Sequence, residues 1–94
     1  MLLRTAIGEE IRRHRVNQGR TLRDVAAAAV VSLGYLSEIE RGVKEPSSEM
    51  LNAICAALEI TVGNLVMAAG AQLQAAERTA DVITLRPATA VKAA

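Results

Sequence analysis

The sequence predicts an all-α fold of five short helices, followed by a helical extension and a flexible tail. Three observations support this fold class. The 94 residues suffice for one small domain and a tail. Eighteen residues are Ala and Tyr35 is the only aromatic, so the core must consist of small aliphatic side chains on helices, which Ala favours over strands. Apolar residues also recur at the three- and four-residue spacings of amphipathic helices.

The first two helices carry recognisable start and stop signals. Thr5 is the predicted N-cap of the first helix, whose Ile7 and Ile11 lie on one face. Gly19 follows as the left-handed residue that ends it. Thr21 is expected to cap a short second helix over residues 22–29, with a capping box closed three residues later by an Asp.

The third and fourth helices start at serines. Ser32 caps a third helix that ends at Gly42. Residues 43–46 form a loop, because the residue before a proline is disfavoured in helical conformation. Ser47 or Ser48 caps the fourth helix. Its inward-facing stripe has i, i+3, i+4, i+7 spacing and comprises Leu51, Ile54, Cys55 and Leu58.

A longer fifth helix opens at Thr61 and continues as a helical extension over residues 68–80, despite Gly70. Its apolar stripe is longer than a five-helix core requires, which predicts a dimerisation surface. That surface comprises Val62, Leu65, Val66, Ala69 and Leu73. Residues 81–94 contain β-formers and Pro87, and are expected to be an extended segment or a disordered tail.

The second and third helices have the pattern of a DNA-reading unit. They are short, are joined by three residues, and have a small residue, Ala26, where two helix axes must come close. Leu36 and Ile39 would anchor the third helix from below. The outward positions are then free to enter a major groove and to read bases. The candidate base-reading residues are Ser32, Leu33, Gly34, Ser37 and Glu38.

Two of these side chains have an expected partner. Glu38 can accept a hydrogen bond from cytosine N4, and Leu33 can pack on a thymine methyl group. The alternative for Glu38 is an i,i+3 ion pair with Arg41. Phosphate contacts, which position a protein on the duplex, are expected around the helix starts and the following loop. The candidates are Thr21, Arg23, Tyr35, Arg41, Lys44 and Ser47.

Each phosphate candidate has a plainer interpretation. Arg23 and Lys44 could be ordinary solvated charges, and Tyr35 could belong to the core with its hydroxyl at the rim. The charge distribution is compatible with an anion-binding face, since residues 1–44 carry +3 and residues 45–94 carry −2. Nine of the eleven basic residues are Arg, which suits phosphate recognition but is equally expected of a GC-rich genome.

Composition argues against several other classes of protein. One His and one Cys, with no phosphate-loop motif, make an enzyme improbable. Cys55 has no disulfide partner, no Cys/His cluster predicts zinc, and no cofactor is expected. Charged residues interrupt every apolar stretch, so neither a membrane span nor a signal peptide is predicted, and a cytoplasmic location is expected.

Residues 21–26 and 31–42 together resemble the Cro/C1-type helix-turn-helix of the XRE family of phage-repressor-like regulators. The resemblance covers about residues 6–67, so a family domain is expected over residues 1–67. It implies a transcriptional regulator that binds double-stranded DNA as a two-fold homodimer at a pseudopalindrome. It also implies a structural ion pair between Arg15 and Glu40, which locks the first helix against the third.

Residues 32–49 resemble the ClgR type more specifically, the actinobacterial activators of Clp protease genes. An activator makes RNA polymerase a candidate partner. The small apolar end, Ala93-Ala94, resembles the termini by which Clp proteases capture substrates, although such ends are common in Ala-rich proteins. Three positions depart from the family pattern, and one of them is His14, which occupies a usually apolar position. Leu22 replaces a Gln that contacts DNA in many relatives, and Val30 replaces a turn glycine, so either the turn differs or stability is lost.

A different class of function stays open. An antitoxin-like or adaptor module could use the same helix-turn-helix to support a protein partner. The small and polar outward residues of the third helix favour DNA, because a protein-binding face would present large apolar or aromatic side chains. Steeply salt-dependent binding to duplex DNA would distinguish the regulator from the adaptor.

Overall fold

The computed structural model describes residues 1–84, and side chains as far as Thr79. Over that range the protein consists of five α-helices and no strand, which confirms the predicted fold class. The helices are α1 (Leu3–Asn17), α2 (Leu22–Ala29), α3 (Leu33–Glu40), α4 (Ser48–Ala57) and α5 (Val62–Thr84).

Four helix starts follow the predicted capping chemistry. Thr21 Oγ1 accepts the Asp24 N–H while the Asp24 carboxylate accepts the Thr21 N–H, both at 3.0 Å, which completes the capping box. Ser32 caps α3 in the same way, and Ser47 rather than Ser48 caps α4. Thr61 accepts the N–H of the third residue of α5. Each hydroxyl satisfies an amide that the helix itself leaves without a partner.

The prediction for the start of α1 was wrong. The helix begins at Leu3, so Thr5 lies in its first turn, and Leu2 precedes it without a side-chain cap. A tertiary contact explains the earlier start. Arg4 Nε donates to the Gly42 carbonyl at 3.2 Å, and Gly42 lies so close to Thr5 that a Cβ there would come within 2.9 Å of the Thr5 Cα. The loop after α3 therefore packs on the first turn of α1 and supports it.

The end of α5 also differs from the prediction. The helix continues through Thr84, so residues 81–84 are helical rather than extended. No Pro or Gly lies between Gly70 and Pro87, and β-branched residues cost a helix only a few tenths of a kcal/mol each. The remainder of the predicted tail, residues 85–94, lies outside the described part of the chain.

A single aliphatic core holds the helices together. Helix α1 packs against α3 and α5, and α2 packs against α3 and α4. The largest fully buried side chains come from all five helices: Ile11, Val25, Leu36, Ile39, Ile54, Cys55, Leu58 and Leu65. Of the predicted α4 stripe, three residues are buried and Leu51 is half-buried at the edge.

Gly8 determines how closely α1 crosses α3. A Cβ added at this position would lie 2.2 Å from the Ile39 carbonyl oxygen and 2.9 Å from that of Glu40. Because those atoms belong to the backbone, they cannot move aside as a flexible side chain would. The last turn of α3 therefore rests directly on the middle of α1.

The predicted dimerisation stripe on α5 needs correction. Leu65 and Ala69 are fully buried within the chain itself, because this side of α5 packs on the core. Val66, by contrast, is 42% exposed. Val62 and Leu73 are half-buried. Only part of the stripe is therefore accessible to another chain.

Within the described residues, no single helix is long and apolar enough to cross a membrane. In the part of the chain that the structure describes, α4 taken together with Val62–Thr79 meets the criterion by length and composition, but across a bend of 103°.

Candidate nucleic-acid interface

The turn between α2 and α3 has the left-handed geometry that usually requires glycine. Val30 has φ 57° and ψ 47°, and its side chain is 88% exposed. The amides of Val30 and Val31 donate to the Ala27 and Ala26 carbonyls, which ends α2 in the compact form of a Schellman-type turn. The turn is therefore retained, and a β-branched residue is strained within it.

The two sides of α3 differ sharply in exposure. Leu36 and Ile39 are completely buried, while Ser32, Leu33 and Gly34 are exposed, Leu33 by 38%. Ser37 and Glu38 are half-buried on the same outward side. No neighbouring atom would lie within 4 Å of a Cβ at Gly34, so the start of this face is open. All five candidate base-reading residues thus reach solvent.

The candidate phosphate ligands lie at or near helix ends. Thr21, Arg23, Arg41 and Ser47 are exposed, at the starts of α2 and α4 and the end of α3. Thr21 and Ser47 accept backbone amides as caps, so their hydroxyl protons remain available to an anion. Tyr35 is half-buried and packs against the core, with part of its ring at the surface.

Lys44 and Glu38 are joined in the structure. The Lys44 Nζ atom lies 3.4 Å from Glu38 Oε1 and 5.9 Å from the centre of the Tyr35 ring. The alternative interpretation of Glu38 was an ion pair with Arg41, and in the structure the carboxylate pairs with Lys44 instead. The chain reverses at Gly42, where φ is 73°, and this reversal brings Lys44 back over α3. Glu38, Lys44 and Tyr35 are called the Glu38 cluster below.

Arg15 and Glu40 form a bidentate ion pair behind α3. Arg15 Nε and Nη2 donate to the two Glu40 carboxylate oxygens at 2.8 and 2.9 Å, and Nη1 donates to the Arg20 carbonyl at 3.0 Å. The side chains of the pair are 14% and 5% exposed. Hydrogen bonding to Glu40 raises the pKa of Arg15, which keeps its charge fixed. This geometry joins α1 to the end of α3.

Two polar residues that the sequence analysis missed connect α1 to α5. Glu10 is only 4% exposed, and its carboxylate accepts hydrogen bonds from Arg13 Nε at 3.1 Å and Gln72 Nε2 at 3.0 Å. A signal was present, because Glu10 lies on the same helical face as Ile7 and Ile11. A charged residue at such a position needs a buried partner.

Among the described residues, no three His, Cys, Asp or Glu side chains are grouped so that they could hold a metal ion. The candidate site consists of an open face on α3, the exposed cap hydroxyls of Thr21 and Ser47 at the N-termini of α2 and α4, and the Arg15–Glu40 ion pair that joins α3 to α1. Such a face can donate to phosphates and contact base edges.

Comparison with known proteins agrees with this geometry. Residues 11–65 match the family model described as helix-turn-helix. The chain is 53% identical over 79 residues to the transcriptional regulator ClgR of Mycobacterium tuberculosis, covering 84% of this chain and 70% of that protein. It is 36% identical over 61 residues to the regulator SinR of Bacillus subtilis, or 64% of this chain and 55% of that protein.

The fold matches a solved structure as well. The crystal structure of the clp gene regulator ClgR from Corynebacterium glutamicum superposes with a TM-score of 0.78 at 45% identity, covering 88% of this chain and 90% of that one. Relatives of this kind are transcriptional regulators rather than enzymes. The chain belongs to the Cro/C1-type (XRE) helix-turn-helix family of DNA-binding transcriptional regulators, and within it to the ClgR type.

Proposed function

We propose that the protein binds a pseudopalindromic operator as a homodimer, inserts α3 into the major groove, and activates Clp protease genes. The observation that carries this proposal is the asymmetry of α3. Its inner side is anchored by fully buried Leu36 and Ile39, whereas its outer side carries only small, polar or half-exposed groups. A helix that reads bases needs both a firm anchor and an open face.

Base reading is assigned to the outward face of α3. Glu38 would accept a hydrogen bond from cytosine N4, and Leu33 would pack on a thymine methyl group. Gly34 would allow the backbone to approach the base edges closely, since the space around it is open. Ser32 and Ser37 complete this set as hydroxyl donors or acceptors.

Phosphate contacts are assigned to the candidate groups at or near the helix ends. The hydroxyls of Thr21 and Ser47 lie at helix N-termini, where partly positive backbone amides favour an anion. Arg23 and Arg41 extend from the surface beside them, and Tyr35 and Lys44 would contribute from the Glu38 cluster. These groups would position the protein without reading sequence.

Dimerisation is assigned to the exposed side of α5. Of the predicted stripe, Val66 and the half-buried Val62 and Leu73 remain accessible, and Met67, which the stripe omitted, is 74% exposed. Val62, Val66 and Leu73 follow one another at spacings of four and seven residues, which places them on one side of the helix, and Met67 lies next to this side. Apolar surface of this kind is favourable to cover with a second copy.

Clp genes are assigned as targets from the relatives, because one of the matched structures is named a clp gene regulator. Activation would add RNA polymerase as a partner.

A Clp protease is a further proposed partner, acting on the Ala93-Ala94 end, which lies outside the described residues. Replacing both alanines with Asp should lengthen the half-life in growing cells, and an unchanged half-life would remove this partner alone.

The DNA-binding proposal is tested by measuring which duplexes the wild type selects from a random pool, and repeating this for Glu38→Ala and Arg23→Ala. The loss of a base contact should relax preference at one position by about 1–3 kcal/mol. The loss of a phosphate contact should weaken all sequences alike and lower the salt slope by about 1. No sequence preference in the wild type would refute base reading, and an unchanged preference in Glu38→Ala would show that Glu38 is misassigned.

The dimer is tested by sedimentation of the wild type, Leu73→Asp and Val66→Asp at micromolar concentration. Both substitutions should yield monomers, because a buried charge at an apolar interface is costly. Gln74→Asp, on an exposed neighbouring position, is the matched control and should remain dimeric. A monomeric wild type, or dimers in both apolar-to-Asp variants, would refute assembly through this side of α5.

A further inference from the structure

The Glu38 cluster places a positive charge directly beside a candidate base-reading carboxylate. The Lys44 Nζ atom is 3.4 Å from Glu38 Oε1, and the side chains are 56% and 36% exposed. Exposed ion pairs contribute little to folding stability, because water screens them and holding two long side chains together costs entropy. The pair is therefore expected to contribute little to folding stability.

Backbone geometry builds this pair into the end of α3. The Gly42 amide donates to the Ile39 carbonyl, and the Val43 amide donates to the Glu38 carbonyl, both at 3.0 Å. Together with φ 73° at Gly42, these bonds form a Schellman motif. The motif fixes the direction of the chain after the helix, so that Lys44 returns over the same turn that carries Glu38.

The aromatic ring of Tyr35 limits where the ammonium can go. Tyr35 and Glu38 are three residues apart on α3, and the Lys44 Nζ atom lies 5.9 Å from the ring centre, within the range of a cation–π contact. Tyr35 itself packs against the core, which restricts the movement of its ring. Lys44 is thereby held between a carboxylate and a ring on one side of the recognition helix.

An unpaired carboxylate on this face would meet the phosphates of DNA with like charge. Pairing with Lys44 neutralises Glu38 and limits the rotamers available to it. An ammonium has three donors, so Lys44 can donate to Glu38 and to a phosphate at the same time. Lys44 would then connect the phosphate contact that positions the protein to the Glu38 contact that reads a base.

Resting on the function proposed above, we infer that Lys44 is a positioning residue for Glu38 and so determines sequence specificity, in addition to contacting a phosphate. An independent phosphate ligand would contribute equally to every sequence. A residue that orients Glu38 contributes most when the base that Glu38 reads is present.

The test is a double-mutant cycle on DNA selection, with Lys44→Ala, Glu38→Ala, both together, and Lys44→Arg. One base contact is worth roughly 5- to 150-fold in discrimination. Lys44→Ala should lose about 3- to 10-fold of the discrimination at the position that Glu38→Ala relaxes, and the double variant should lose little more than Glu38→Ala alone. Lys44→Arg, which keeps the charge and reach, should retain most of the preference.

Arg23→Ala is the matched control, because Arg23 is an exposed cation on α2 rather than α3, and it should weaken all sequences equally. Thermal melts of Lys44→Ala should match those of the wild type, since Lys44 is exposed. Equal weakening of all sequences by Lys44→Ala, or additive effects with Glu38→Ala, would overturn the positioning role while leaving DNA binding intact. A wild type without any sequence preference would overturn both.

Discussion

The helix-turn-helix unit and the helix behind it are stabilised by contacts of very different range. In α2 and α3 the capping hydrogen bonds at the helix starts join residues three apart, as between Thr21 and Asp24. On α1 they join residues far apart in the chain: Arg15 bonds to Glu40, 25 residues away, and Glu10 to Gln72, 62 residues away. The starts of α2 and α3 are thus defined by local contacts, whereas the position of α3 on α1 depends on long-range contacts.

This difference predicts that breaking a contact of α1 destabilises the fold more than breaking a cap or a turn of α2 and α3. The largest effect is expected for Glu40→Ala. This substitution leaves the Arg15 guanidinium, whose side chain is 14% exposed, without its ion-pair partner. It should lower the free energy of unfolding by about 3–5 kcal/mol. Arg41→Ala, on the exposed next residue, is the control and should change stability little. Thermal melts measure the stability of both variants. Equal melting midpoints for Glu40→Ala and Arg41→Ala would refute the larger contribution of the α1 contact.

Gly8→Ala should have the next largest effect, a loss of about 3 kcal/mol or more, because the new methyl group meets backbone carbonyls of α3. Gly63 and Gly70 are matched controls on α5, where a Cβ would meet nothing within 4 Å. Alanine at either should stabilise the helix by roughly 0.5–1 kcal/mol. Chemical denaturation measures all three, and a Gly8→Ala protein as stable as the controls would contradict the close crossing of α1 and α3.

Val30→Gly should stabilise the protein by about 1 kcal/mol, because it removes the left-handed strain of a β-branched residue in the turn. The melting midpoint should rise by roughly 4–8 °C. Glu59 has the same φ of 57° without β-branching, so Glu59→Gly should yield a smaller gain. A lower midpoint for Val30→Gly would show that the Val30 side chain contributes to the fold despite its exposure.

The smallest effect concerns the capping box of α2. Its carboxylate accepts the Thr21 N–H, which lowers the pKa of Asp24 below its ordinary value of 3.8. A lowered pKa in the folded state means that the ionised group stabilises the fold above about pH 3.8 and loses this contribution as the pH falls through the lowered pKa. Asp24→Asn should therefore be slightly less stable than the wild type near neutral pH, and the gap should close in acid. A gap that does not change with pH would contradict the ionised cap.

Local signals explain which parts of the molecule could be predicted. Thr21, Ser32 and Ser47 stand at helix starts whose chemistry involves only the next three residues, so sequence suffices there. Thr5 has the same chemistry, but packing of Gly42 on the first turn of α1 moved the helix start to Leu3. A cap prediction fails where a distant segment supports the helix instead.

The same reasoning applies to the site. The outward face of α3 follows from helical periodicity, and all five candidate base-reading residues reach solvent. Glu38 pairs with Lys44 rather than Arg41 because the chain reverses at Gly42. Helical periodicity alone does not predict this reversal. Leu65 and Ala69 likewise resembled spare apolar surface only because the position of α1 was unknown.

The position of α1 has a consequence for how an operator could be spaced. Helix α1 contacts α3 through Gly8 and Arg15, and α5 through Glu10. In the proposed dimer, α5 would meet its counterpart and α3 would meet the DNA, so α1, which packs on both helices, would link the two. Substitutions in α1 that touch neither partner would alter the separation of the two recognition helices. Suppressors of operators with one base pair inserted between the half-sites should therefore map to α1.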